Sequence, residues 1–371
     1  MRICYVANPN SIHVRRWIHY FLERGHEVHV VTGRPLESSV PAGTFLHFVR
    51  APKVPRLRNL VLGWAMRRCI RAIEPDIVHA HQVSPDGWLA AMAGYHPLLL
   101  SAWGSDLLLA PRRAWRYRLL IRWALRRADA IACVSETLAQ TARSLGADPA
   151  QVEVAPWGVD LSVFYPAEQR EGLRGAWGLG EGPVVISLRA MRPLYNPFVI
   201  AQAIPLILAR VASVRFVIRA YAFDVECLKR FQSSILEAGA ESRVSYVGEL
   251  PEDRAIADLY RASDVAISVP SSDGVPQSVL EAMACGVVPV LSDLPSLREW
   301  VRHGEEGLFV PVGDVEGLAE AVVRLLTDTA LRARLRANAI RLVRERADAR
   351  AAMARYEAIY ERLVGGRAAS R

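Results

Sequence analysis

The chain has 371 residues, 51% apolar and 23% charged, with a formal net charge of +8, an ordinary globular composition whose length fits two domains with a core each. No apolar run reaches the roughly 18 residues a membrane span needs. The five cysteines (Cys4, Cys69, Cys133, Cys227, Cys285) are scattered without a CxxC pair, which points to a reducing compartment with neither disulfides nor a zinc site.

The opening MRICYVANPN runs directly into a strand and carries no signal-peptide pattern, so a cytoplasmic protein is expected. The charge is uneven: residues 1–165 hold 20 Arg plus Lys against 12 Asp plus Glu, whereas residues 166–371 hold 26 of each. The whole excess belongs to the first half, as expected if one domain meets an anionic surface.

In chain order, ICYVA (3–7) reads as a buried strand, 12–24 as a helix and HEVHVVT (26–32) as a second strand. DIVHAH, LLLSAW and AIACVS are further strands, the second followed by a basic helix and the third by a helix starting near Ser135. Apolar runs alternating with helical patterns predict parallel βαβ units. The stretch 156–183 interrupts the rhythm with Pro, Gly and mixed charge and reads as a linker. The alternation then restarts with VVISLR, VRFVIRA, VSYVG and DVAISV, continues through GVVPVL and EGLFVP, and closes on an amphipathic helical tail over 314–363. Two similar α/β domains in tandem are predicted.

Ligands of open α/β sheets bind beyond the carboxyl ends of the strands, so candidate residues stand in loops just after strands. Asp273 follows DVAISV, Arg189 ends VVISLR, Trp103-Gly104-Ser105-Asp106 follows LLLSA, and Ser11 and His13 follow ICYVA. SSDGVPQSVLEAMACG (271–286) is the richest of these stretches. Pro276 can begin a helix, whose free N–H groups would attract an anion or a polar sugar edge. Glu281 lies one to two turns in, where a carboxylate can accept two hydroxyls from a diol such as ribose. Asp273 could accept hydroxyls from a second ring. In the plainer reading Asp273 only caps the turn and Glu281 is solvated. Against that, Glu281 stands among Val279, Leu280, Ala282, Met283 and Ala284, and a lone acid in so apolar a helix needs a partner.

These residues resemble the signature of retaining glycosyltransferases of family 4. That motif pairs two acids across seven residues, with Gly-x-Pro after the first and Glu-Ala-Met-Ala at the second. Here it stands as Asp273, Gly274, Pro276 and Glu281-Ala282-Met283-Ala284. GHEVHVVT (25–32), PWGVDLSVF (156–164), RASDVAISVPS (261–271) and GLFVPVGDVEGLAEAV (307–322) extend the resemblance over nearly the whole chain.

The resemblance implies a GT-B architecture: two Rossmann-like, doubly wound parallel-sheet domains facing across a cleft. The expected domains are 1–165 on the acceptor side and 166–345 on the donor side, with a closing helix from about 346 packing back on the first. The implied reaction moves a sugar from a UDP- or GDP-sugar to a hydroxyl of a glycan, glycolipid or small acceptor, with retention and without metal or other cofactor. Glu281 would hold the donor ribose; Asp273, Gly274, Val275 and Pro276 the donor sugar; Arg189 the diphosphate. Leu280, Ser11 and Gly248 join the donor-binding set, the base lying near Gly248-Glu249-Leu250.

The departures are specific. The first acid is usually Glu, and Asp273 is shorter by one methylene, roughly 1.5 Å. SLRAMRPLYNP (187–197) supplies Arg189 but no lysine, leaving Arg192 as the nearest substitute, a planar fork in place of a point charge. Trp103 replaces the usual sugar-facing histidine, and Trp103, Gly104, Asp106 and His81 are assigned to the acceptor side. NPNSIHV lacks the usual glycine-rich loop; Ser11 and His13 would make hydroxyl and imidazole contacts there, with Asp273, Arg189, Arg192 and His13 as the catalytic set. The alternative for Ser11 is a plain helix N-cap. His79 and His81 in VHAH lack a third ligand and are weak evidence for a metal.

PRRAWRYRLLIRWALRR (111–127) carries seven arginines and, at i, i+4 and i+8, Trp115, Leu119 and Trp123; RLRNLVLGWAMRRCIRAI (56–73) is similar in character. Such helices can lie on an anionic membrane surface, giving a peripheral location on the inner face; alternatively their apolar faces pack on the sheet. No nucleic-acid module appears, and no nucleic-acid partner is expected. The rival readings are a small-metabolite transferase, a nucleotide-sugar epimerase, and a degenerate, non-catalytic relative. A pyridoxal-dependent phosphorylase needs a Schiff-base lysine, and neither Lys53 nor Lys229 lies in a site motif. No GxGxxG follows any strand, which disfavours a dehydrogenase.

Overall fold

Contacts divide the chain into two units, residues 1–156 with 353–371, and residues 157–352. The structure, a computed structural model, describes the chain except for residues 38, 51–57, 169, 188, 251 and 370–371, and the side chains of 58 and 367–369. Lys53 and the first two residues of the basic stretch 56–73 therefore lie outside the described residues, as do Leu188 of VVISLR and Gln169 of the linker stretch.

In the first unit the strands are β1 (Arg2–Val6), β2 (Glu27–Thr32), β3 (Phe45–Phe48), β4 (Ile77–His81), β5 (Leu98–Ala102), β6 (Ala130–Cys133) and β7 (Val152–Val154). They form one parallel sheet in the order β3-β2-β1-β4-β5-β6-β7. The central strands β4 and β5 are buried along their whole length, which is why IVHAH and LLLSA show little polar alternation. The sequence pattern missed the two edges, β3 and β7. Phe45 and Phe48 of FLHF are exposed, and Glu153 interrupts VEV, so neither strand stands out as an apolar run.

The helix Ile12–Glu23 buries Val14, Trp17, Ile18 and Phe21, the spacing of one helical face. The closing helix Ala349–Ala369 adds Tyr356 and Tyr360, both fully buried. The Tyr356 hydroxyl donates to the Ala155 carbonyl at 2.6 Å, and its ring meets Trp17 edge-on at 4.3 Å. The Tyr360 hydroxyl lies 2.6 Å from His79 Nδ1, while His79 Nε2 lies 2.7 Å from Ser101 Oγ. His79 is thus a hydrogen-bonded core residue, its pKa driven well down by burial.

The second unit holds β8 (Val184–Ser187), β9 (Arg215–Arg219), β10 (Val244–Val247), β11 (Val265–Ser268), β12 (Val288–Ser292) and β13 (Leu308–Val310). They pair in parallel in the order β10-β9-β8-β11-β12-β13. In both units the strand order reverses beside the first strand, between β1 and β4 and between β8 and β11. Such reversals open a crevice at the carboxyl ends of the two diverging strands.

The division falls at Pro156/Trp157 and not at 165/166, because 157–165 packs on the second unit. Val159 bridges to Asp348, and the Arg261 guanidinium donates to the carbonyls of Val163 and Tyr165. Gly158 permits this: its φ is +76°, and a Cβ there would stand 2.6 Å from the Ala349 nitrogen. Asp264, at the start of β11, accepts from Arg170 at 3.1 Å, Arg174 at 2.7 Å and the Val184 N–H at 2.8 Å, tying the helix Glu171–Ala176 to the sheet.

Candidate functional site

In the second unit the reversal point is occupied by charge. The Arg189 guanidinium, just beyond β8, donates to Asp273 Oδ2 at 2.9 Å and to Ser278 Oγ at 3.2 Å, and lies over the Tyr195 ring at 4.3 Å. Asp273 stands in the loop after β11; its Oδ1 accepts the Gly274 N–H at 2.9 Å, and its carbonyl accepts the Ser296 hydroxyl at 2.7 Å. Burial pushes the Asp273 carboxyl above its ordinary value, while Arg189 and the Gly274 N–H pull it down. For Arg189, burial opposes the charge and Asp273 favours it, leaving its pKa raised.

Glu281, 5% exposed, lies on the helix Gln277–Ala284. Its charge is felt by Arg219, Tyr221 and Tyr260, so they lie within electrostatic reach of it. Arg219, the last residue of β9, lies over Tyr221 at 3.9 Å and donates to the Gly248 carbonyl at 3.2 Å. Gly248 borders open space. Arg192 is exposed and held at the rim, donating to the Ala222 carbonyl at 2.8 Å. Arg189, Asp273, Gly274 and Ser278 are linked by hydrogen bonds and Arg219 to Gly248 by another, and Glu281, one helical turn after Ser278, lies within electrostatic reach of Arg219.

Two expectations are corrected here. The helix after Pro276 does not present a row of free amides: Gln277 N–H donates to Val275, and those of Val279 and Leu280 donate to Pro276. Leu280 is fully buried with its N–H so engaged, and it serves the core, not a ligand. Sequence reading missed Arg219, Tyr195, Tyr221, Tyr260 and Ser278. Arg219 was within reach, since it ends VRFVIR as Arg189 ends VVISLR. The tyrosines lie on loops and a helix and carried no such signal.

In the first unit, the crevice residues form an aromatic group. His81, at the end of β4, is fully buried against Tyr5 at 4.8 Å, Trp17 at 5.0 Å and Trp103 at 5.3 Å. Neither of its ring nitrogens has a hydrogen-bond partner, and burial drives its pKa down to about 3, so the ring is neutral. His13 meets Trp103 edge-on at 6.1 Å. Ser11 occupies the N-cap position of its helix, yet its side chain accepts no capping bond, which leaves the plain-cap reading without its defining contact.

Asp106 does not face outward as an acceptor contact would. Its oxygens take the N–H groups of Trp103, Gly104 and Val83 at 3.0, 2.7 and 2.8 Å, so it fixes the loops after β4 and β5. Gly104, at φ +145°, is what lets the chain turn there. Nearby, the Arg34 guanidinium donates to Asp86 Oδ1 and Oδ2 at 2.9 and 3.1 Å over a cavity of about 340 Å³. Burial raises the Asp86 pKa to about 6, against the pull of Arg34. Among the described residues, no three His, Cys, Asp or Glu gather as metal ligands would, and no helix is long and apolar enough to cross a membrane.

Two parallel α/β units whose strand orders both reverse beside a charged or aromatic cluster define a protein of the GT-B fold. The fold is shared with HepE of Anabaena, solved in complex with UDP and glucose, at a TM-score of 0.82 and 18% identity, covering 98% of this chain and 100% of that one. Residues 2–135 match the family described as glycosyl transferase 4-like, and residues 169–342 match glycosyl transferases group 1. A D-inositol 3-phosphate glycosyltransferase of Jonesia denitrificans is 30% identical over 285 residues, covering 72% of this chain and 67% of its own. The N-acetyl-alpha-D-glucosaminyl L-malate synthase of Bacillus anthracis is 24% identical over 357 residues, 91% of this chain and 90% of its own. The chain belongs to the group 1 glycosyltransferases of family 4, and it is a glycosyltransferase.

Proposed function

We propose that this chain transfers a sugar from a nucleoside diphosphate sugar, UDP- or GDP-linked, to an acceptor hydroxyl with retention of anomeric configuration. The observation that carries the reading is the second unit's charged site: Arg189 on Asp273 beyond the neighbouring strands β8 and β11, with the buried Glu281 one helical turn after Ser278, which Arg189 also contacts. Glu281 accepts the ribose hydroxyls, and Asp273 with the Gly274-Val275-Pro276 loop holds the donor sugar. Arg189 and Arg219, with Arg192 at the rim, offset the charge of the diphosphate. That role makes a metal unnecessary for stabilising the leaving group.

In the proposed step the bond between the anomeric carbon and the diphosphate oxygen breaks, and the acceptor oxygen bonds that carbon on the same face. The acceptor's proton passes to the leaving phosphate. Trp103 of the first unit serves the acceptor side, backed by the buried His81 ring, while His13 joins the catalytic set and Ser11 the donor-binding set. The acceptor is a glycan, glycolipid or small hydroxylated molecule of cell-envelope assembly, met on the cytoplasmic face of an anionic membrane.

A thermal-shift screen against UDP, GDP and their common sugars tests the donor class; a bound nucleotide raises the melting temperature. No shift with any of them would sink the reading. Full turnover in chelator, and a product NMR spectrum showing the donor's anomeric configuration, check metal independence and retention.

A further inference from the structure

The basic helices of the first unit carry apolar residues on two faces. The helix Trp115–Arg127 buries Ile121, Ala124 and Leu125, so its core face is already filled. Trp115, Leu119 and Trp123, one helical turn apart, face outward and are 75%, 54% and 38% exposed. The same arrangement recurs on the helix Arg58–Ile73: Leu62, Met66 and Ile70 are buried, while Leu60, Val61 and Trp64 are exposed. The alternative that these outward residues pack on the sheet is thereby overturned.

The rims are wholly basic. Arg112, Arg113, Arg116, Arg118, Arg122, Arg126 and Arg127 flank the first face and Arg67, Arg68 and Arg71 the second, with no acidic residue on either helix. None of these arginines pairs with a carboxylate among the described residues. Arg127 lies over Trp123 at 5.5 Å and Arg68 over Trp64 at 4.9 Å. The 340 Å³ cavity lies between the two helices, lined by Asn59, Leu62 and Met66 of one and Tyr117 of the other.

We propose that these two outward faces form one docking surface for an anionic lipid bilayer, Trp64, Trp115, Leu119 and Trp123 entering the headgroup layer while the arginines bind lipid phosphates. Charge complementarity selects this occupant. An apolar strip rimmed by arginine, without acids, matches the interface of an anionic membrane, where indole rings settle at headgroup depth and each basic residue adds attraction. The surface deepens the membrane setting proposed above: docked in this way, the cavity between the helices stands beside the interface, positioned for the headgroup of a lipid acceptor. Docking does not depend on the donor reading.

Flotation of the full chain with vesicles of phosphatidylcholine, alone or mixed with phosphatidylglycerol, tests it. The wild type should float with the mixed vesicles and not with the neutral ones. The triple variant Trp115→Ser, Leu119→Ser, Trp123→Ser and the double variant Arg116→Glu, Arg118→Glu should each partition about tenfold more weakly. Both variants should keep the melting temperature and its rise with nucleotide, because every substituted side chain is exposed and none belongs to the second unit, which holds the donor cluster. Should the triple variant fold poorly, quenching of wild-type tryptophan fluorescence by brominated lipid gives the same answer. Equal flotation of wild type and triple variant, flotation with neither vesicle, or absence of quenching overturns the proposal. So does tight binding to duplex DNA that competes with the vesicles and survives the triple substitution, which would assign the arginines to nucleic acid. A chain that floats but shows no nucleotide shift keeps the docking surface and loses the donor reading.

Discussion

Replacing Glu281 with Gln removes a charge from the proposed ribose site with almost no change in volume. The side chain is 5% exposed on a helix whose Leu280, Ala282 and Met283 are fully buried, so it has little room to turn away. A carboxylate accepting two ribose hydroxyls keeps one acceptor oxygen as Gln and loses the charge assistance on both bonds. Hydrogen bonds to charged groups contribute roughly 1.5–3 kcal/mol each against about 1 for neutral ones. The loss should be about 2–3 kcal/mol, a rise in nucleotide Kd of about 30- to 150-fold. Part of that loss could come from Arg219, Tyr221 and Tyr260, on which the charge of Glu281 also acts. Calorimetric titration of wild type and variant with UDP or GDP, and with the 2′,3′-dideoxy form of whichever binds, separates the two contributions. The substitution should weaken the natural nucleotide strongly and the dideoxy form little. An equal loss for both forms, or no loss for either, refutes the ribose role.

Asp264→Ala should lower the stability of the second unit by roughly 3–5 kcal/mol, because it strands two partly buried guanidinium groups and the Val184 N–H. Urea unfolding measures this, and a change below about 1 kcal/mol would mark the pair as solvent-screened. His81 has its folded pKa near 3 against an ordinary value of 6.5, so its stabilising contribution is complete above pH 6.5 and is lost as the pH falls below that. His81→Phe should reduce the acid-side loss by up to about 1.4 kcal/mol per pH unit, read from urea midpoints between pH 6.5 and about 5; an unchanged slope would show that His81 is solvated in the folded state.

Most of the donor-side cluster could be read from residue order. Arg189 and Asp273 each follow a strand with a strong apolar signature, and those strands are the neighbours at the reversal point of the sheet. Arg219 carries the same signal at the end of β9. Leu280 turns into the core although it adjoins Glu281, because neighbouring positions on a helix point to different sides. Asp106 looked like a ligand-facing acid, yet its oxygens are engaged by backbone amides from two loops, one of them after β4. The strands β3 and β7 escaped because edge strands need no continuous apolar run.

The sequence by itself determined the alternation of strand and helix, the two-domain plan and the pair of acids at 273 and 281, since these depend on local periodicity and residue type. Tertiary structure decided which side chains meet. It brought Arg219 and the tyrosines to Glu281, paired Arg189 with Asp273, and moved the domain boundary to Trp157 through contacts with residues nearly two hundred positions away. It also decided that Trp115, Leu119 and Trp123 remain in solvent. A helical repeat shows that an apolar face exists, but only the packed neighbours show whether that face has been covered.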